Sequence, residues 1–398
     1  MVNTGRRALV ATFGLVASLP GLAARAASTL HEAPSKHGAR PELGASAAFD
    51  ARGRLWAVKK RGQHVMLWRS DDQGSTWRAL RAVNRTPEAI AADGDARPKI
   101  AIGARGELYV SWTQPLAKPY TGFIRFARSL DAGRTFREPM TVHTDRQPIT
   151  HRFDAITVTR EGRVFVAWID KRDGEAARAT RAPYRGAALY YAVSGDRGAT
   201  FRGDYKVADH SCECCRIALL PRANGTVTAF WRHVFEPNLR DHAIATLRAD
   251  GSVEGFRRAT FDDWAIDACP HHGPSLAEDA GGHLHAVWFT LGTDEPGAIY
   301  GRLRENGVNE MRRIGGETAE HPDIAALGKR LAIVWKEFDG ERLQLLSMRS
   351  DDAGRTWRHK TRAVTNDAAD QPRLVTHGGR FYALWNTRAK PLWVVPLR

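Results

Sequence analysis

A short apolar run ending at or beside tryptophan returns seven times along this chain. The copies are RLWAV at Trp56, LYVSW at Trp112, VFVAW at Trp168, VTAFW at Trp231, LHAVW at Trp288, LAIVW at Trp335 and FYALW at Trp385. Successive tryptophans lie 56, 56, 63, 57, 47 and 50 residues apart. The runs are rich in β-branched and aromatic residues and follow glycine turns such as ARGRL, ARGEL, REGRV and DAGGHL, which reads as strands. Before the turn lies a second apolar strand (PKIAIG, FDAITV, RIALLP, PSLAE, PDIAAL, PRLVTH), and a third follows the tryptophan. Four short antiparallel strands per repeat of this length predict an all-β fold, a β-propeller of four-stranded blades. Seven blades is the first expectation and six the runner-up; no helix-period segment is long enough to compete. The last unit, 371–398, supplies only three strands. Its fourth is expected from the segment near 28–32, pairing the chain ends and removing exposed sheet edges.

Four octamers punctuate the repeats: SDDQGSTW at Ser70, SLDAGRTF at Ser129, SGDRGATF at Ser194 and SDDAGRTW at Ser350. Ser and Asp side chains bond nearby backbone amides, and Gly supplies a left-handed residue, so the pattern is a turn. These octamers are identified as Asp boxes, and the chain resembles the sialidase-like Asp-box (bacterial neuraminidase repeat) β-propeller superfamily over nearly all of 27–398. The resemblance implies that the boxes are structural turns facing away from the active site. It does not imply sialidase activity, because such propellers also include other enzymes, assembly factors and sorting receptors. Strand order agrees. The box joins strands three and four, whereas strand-one starts and the loops after strand two share the other face. Asp72, Asp131, Asp196 and Asp352 are therefore read as turn builders.

Residues 1–26 read as an export signal: Arg6 and Arg7, an apolar stretch broken by Pro20 and Gly21, then Ala24-Arg25-Ala26. The paired arginines resemble a twin-arginine signal. The expectation is a periplasmic or secreted, single-domain propeller over 27–398, monomeric and without a membrane span in the mature chain. Loss of Arg6, Arg7 and Arg25 takes the formal charge from +15 to +12. Basic and acidic residues alternate, with no basic run that would follow a nucleic-acid backbone, so nucleic acid is not an expected partner.

The strand-one starts ring the channel mouth: Arg40, Arg97, Arg152, Cys215, His272, His321 and Gln371. All four cysteines fall at two adjacent starts, in DHSCECCR and DACPHHGP, with histidines beside them. Thiolates with nearby imidazoles suit copper(I) or zinc. The expected ligands are Cys212, Cys214, Cys215, Cys269, His271, His272 and His321, with copper favoured, for metal handling, metallocentre assembly or a metal-dependent reaction. The alternative is disulfides, Cys269 to one of the other three and a vicinal Cys214–Cys215 bridge, as an even cysteine count in an exported chain allows.

Whether the chain is an enzyme stays open. The resemblance implies a glycosidase alternative, in which Arg97, Arg152 and Arg373 clamp a substrate carboxylate and Asp170 serves as acid. The chain departs from the family: the aromatic-Arg-Ile-Pro motif is not evident, and no Tyr with a Glu beside it lies at a strand start. A third reading is a non-catalytic propeller docking an envelope protein. Long polar loops at 113–122, 170–188 and 232–242 lie on the proposed site face.

Overall fold

The computed structural model describes residues 41–293 and 296–398. The export segment, the expected closing strand near 28–32 and Arg40 lie outside the described residues. Seven antiparallel sheets follow one another along the chain, each with its strands in sequence order. Six have four strands; the seventh has three among the described residues. The first strands of the blades are Ala45–Phe49, Lys99–Ile102, His151–Val158, Ala218–Pro221, Ser275–Glu278, Glu320–Leu327 and Arg373–His377. Each packs against the first strand of the next blade, and the seventh packs against the first, which closes a ring. Seven blades is thus the count, and the fold is a β-propeller.

The seven repeated tryptophans explain the period. All are at most 1% exposed, between the sheets. Each indole N–H still has an acceptor, as a buried donor requires. Trp56, Trp112, Trp168, Trp288 and Trp335 donate to carboxylates of Asp50, Glu88, Asp170, Asp262 and Glu337 at 2.7–2.9 Å. Trp231 donates to Ser211 Oγ, and Trp385 to the Asp370 carbonyl.

The Asp boxes are blade-to-blade devices. In the second blade, Ser129 Oγ donates to Asp131 at 2.7 Å and accepts from the Gly133 amide at 2.9 Å. Asp131 also accepts from the Thr135 amide and hydroxyl at 2.8 and 2.6 Å. Burial works against its charge, but these bonds hold its carboxyl down at about 2. Gly133 has φ +76°, and a Cβ there would lie 2.7 Å from Leu67 in the third strand of the preceding blade. The glycines of the other three boxes abut Val394, Phe126 and Tyr300, again in the preceding blade's third strand. Gly133→Ala combines left-handed strain with overpacking, so about 1–3 kcal/mol of stability should be lost. Chemical denaturation checks this against Asp131→Ala, where about 1 kcal/mol is expected.

One element departs from the sequence reading. Residues Arg172–Thr180, inside the 170–188 loop, form a short helix with no buried residue. Its polar sequence gives no apolar stripe to detect. Among the described residues no helix is long and apolar enough to cross a membrane.

Candidate metal centre at the inter-blade rim

The strand pairings place the two faces. The box residue Ser70 pairs with Leu55, at the start of its blade's second strand. His151 pairs with Asp170, and Glu320 with Lys336, where the second strand ends. Inter-blade connections and Asp boxes therefore occupy opposite faces. A cavity of about 570 Å³ lined by Asp72, Arg330, Arg349 and Tyr382 belongs to the box face.

The connection between blades three and four carries three of the four cysteines. It runs from the end of Arg202–Ser211 to Ala218. Cys212 is anchored by its amide, which donates to the Arg232 carbonyl at 3.0 Å, and residues 213–214 then turn. That turn folds three sulfurs inward. Cys212 Sγ lies 3.4 Å from Cys215 and 3.8 Å from Cys214, and Cys214 and Cys215 lie 3.9 Å apart. All three side chains are buried, and all four cysteines are thiols in the structure. Exposed Cys269, from the next connection, interacts with Cys212 and Cys214.

This grouping separates the thiols electrostatically. The Cys214, Cys215 and Cys269 thiols turn towards Cys212, and with Arg232 they pull it well below the usual thiol range. The hydrogen bond to Cys212 is the first cause raising Cys214, while burial is the first cause raising Cys215. Cys269 is pushed up to about 11, chiefly by Cys212. One proton leaves readily and the others only against a buried negative charge. A cation at the centre of the sulfurs removes that penalty.

The expected single Cys/His shell divides in two. His272, Glu320 and His321 form a separate group whose donor atoms lie within 4.8 Å of one another. Exposed His271 belongs to neither group. The two groups are close in the fold. A Cβ on Gly273 would lie 2.3 Å from the Arg216 backbone nitrogen, so only glycine lets the His272 segment pack against the residue after Cys215. Arg232, 1% exposed, donates to the carbonyls of His272 and Phe289 at 3.2 and 2.5 Å. Nothing in the spacing of DHSCECCR and DACPHHGP distinguishes one shell from two; the backbone path does.

The four residues of the glycosidase alternative do not form a free clamp. Arg97 grips Asp370 with both terminal nitrogens, at 2.6 and 2.9 Å. Arg373 pairs with Asp95 and faces Asp323 at 3.8 Å. Arg152 lies over the Phe153 ring at 5.0 Å; burial works against its charge, with Asp93 and Cys214 opposing. Asp170 is fully buried between Trp168, at 2.8 Å, and Arg172, at 2.7 Å. The physical reason is the rim itself: Asp370 and Asp95 reach the arginines from other blades, and Arg172 from the same loop neutralises Asp170.

Sequence reasoning missed a paired imidazole stack behind Asp170. The rings of His143 and His151 lie 3.9 Å apart and nearly parallel. His143 Nδ1 donates to the Asp145 carbonyl at 2.6 Å, and its Nε2 accepts the Ile124 amide at 3.1 Å. Burial first, and then His151, pull His143 down to about 2.

Four boxes, seven blades and a closed ring of first strands decide the architecture. The chain is a seven-bladed β-propeller.

In sequence the propeller matches no known family and no curated protein. In structure it is similar to a polysaccharide lyase at 10% identity and a TM-score of 0.54, over 93% of each chain. It is also similar to an ulvan lyase of family PL25 solved with a GlcA–Rha3S ligand, at 10% identity and a TM-score of 0.53, over 88% of this chain and 90% of that one. The α-L-arabinofuranosidase from Fusarium graminearum gives 12% identity and a TM-score of 0.50, over 89% and 92%. At such identities the likeness is one of fold.

Proposed function

We propose that this propeller binds a thiophilic metal ion, copper(I) or zinc, through Cys212, Cys214 and Cys215, with Cys269 as the fourth sulfur. The observation that carries the reading is the sulfur spacing of 3.4–3.9 Å. Metal–sulfur bonds of about 2.3 Å place tetrahedral ligand sulfurs about 3.8 Å apart. The thiols thus need little movement to close on an ion. Arg232 and Arg152 oppose the charge that deprotonated sulfurs would carry. Copper is the favoured ion for an exported chain, and the basic, apolar and small-residue order of 1–26 supports export. Three sulfurs are buried and Cys269 is exposed, so an ion would enter and leave on the Cys269 side. That suits metal handling or metallocentre assembly.

Metal analysis of the full chain, purified from its native compartment, tests this. The wild type is expected to carry one equivalent of copper or zinc more than Cys214→Ser/Cys215→Ser. Wild-type protein that carries no more metal than that variant, with two disulfides found by mass mapping, would end the reading.

A glycan-directed role is the second reading. It rests on the shared fold, since the similar structures are named as a polysaccharide lyase, an ulvan lyase and an arabinofuranosidase. Turnover of a fluorogenic sialoside that Arg152→Ala abolishes would favour it.

A further inference from the structure

The structure assigns a second metal site, distinct from the sulfur cluster, to His272, Glu320 and His321, with a borderline divalent cation such as zinc or iron(II) as its ligand. Two imidazoles and one carboxylate with open positions are a donor set for such ions. The site holds whether or not the thiols bind metal.

Local backbone builds it. In a regular strand the neighbours Glu320 and His321 would point to opposite faces. The pairing of Glu320–Leu327 with Arg330–Phe338 slips between Glu320 and Asp323, and His321 takes φ +54° there. This bulge turns both side chains the same way, leaving His321 Nε2 3.4 Å from Glu320 Oε2. Lys336 holds the other carboxylate oxygen, Oε1, at 2.8 Å, so the carboxylate is anchored on one side only.

The second imidazole comes from the next connection. His272 stacks on Phe289 at 4.1 Å and on His321 at 4.4 Å, which fixes its ring plane. Its Nδ1 is buried with no hydrogen-bond partner. A buried imidazole nitrogen without a partner is destabilising, and a cation supplies the missing partner. Arg232 holds the His272 carbonyl at 3.2 Å, which fixes the backbone behind the ring.

Cobalt(II) titration of the full chain distinguishes the two sites, because only thiolate ligation gives an intense sulfur-to-cobalt charge-transfer band. Wild type is expected to take two equivalents. Cys212→Ser/Cys214→Ser/Cys215→Ser should lose that band and keep one equivalent with weak ligand-field absorption. Glu320→Gln, of nearly unchanged volume, and His272→Ala should lose the weak component and keep any thiolate band. Should Glu320→Gln or His272→Ala, each folded by its thermal transition, lose no cobalt, the second site is overturned. A cysteine-substituted protein that binds none overturns it equally. Loss of the thiolate band alone bears only on the sulfur site.

Discussion

Arg97→Met should lower folding stability by about 3–5 kcal/mol, the usual loss when one partner of a buried ion pair is removed. Arg97 is 1% exposed and forks Asp370, a residue 273 positions away, across the seam where the last blade meets the first two. The same guanidinium donates to the Ala45 carbonyl at 3.0 Å and the Gly94 carbonyl at 2.6 Å. One side chain thereby ties the first strands of blades one, two and seven. Methionine fills the space and leaves a buried carboxylate with no counter-charge. Denaturant unfolding with metal content followed in parallel checks this. Arg97→Met/Asp370→Leu should recover most of the loss, because two apolar residues leave no stranded charge. A loss below about 1 kcal/mol, the range of an exposed pair, would show that closure does not depend on Arg97 and would return the residue to substrate binding.

Acid should destabilise the propeller through its buried histidines, and the window lies below their ordinary value of 6.5. His143 is held at about 2 and His151 is lowered, in both cases first by burial. In the unfolded chain both take up a proton near 6.5; in the fold they refuse it. Protons therefore favour the unfolded state, so nothing is lost above 6.5 and stability falls progressively below it. His143, held at about 2, loses about 1.4 kcal/mol per pH unit, about 2 kcal/mol by about pH 5, and His151 acts in the same direction. His242, held well below its ordinary value by burial and by Arg232, acts in the same direction. The measurement is unfolding free energy against pH with chelator present, so that protonation of metal ligands does not enter. His143→Gln should flatten the slope by about 1.4 kcal/mol per pH unit. An unchanged slope would mean that the stack accepts a proton without opening.

The cysteine reading shows how far residue patterns reach. That Cys212, Cys214 and Cys215 lie together follows from their adjacency. That Cys269 joins them follows from strand order, because both connections start neighbouring blades on one face. The division of the histidines did not follow. His271 and His272 are consecutive, yet only His272 faces His321, because the backbone turns at His271, with φ +56°, and at His321. Glu320 carried no separate signal, since strand alternation sends it away from His321 unless a bulge intervenes. Arg97 and Arg373 lie where the first strands begin, but their charge partners Asp370 and Asp95 are more than 270 residues away in sequence.

The sequence by itself determined the repeat, the blade order and the two faces. Those depend on local signals: an alternating strand, a glycine turn, a tryptophan that must be buried and an octamer whose bonds close within five residues. Only the tertiary structure decided which rim groups are free and which are paired. Closing seven blades into a ring sets the distances between side chains hundreds of residues apart, and it also sets the charges that surround each of them.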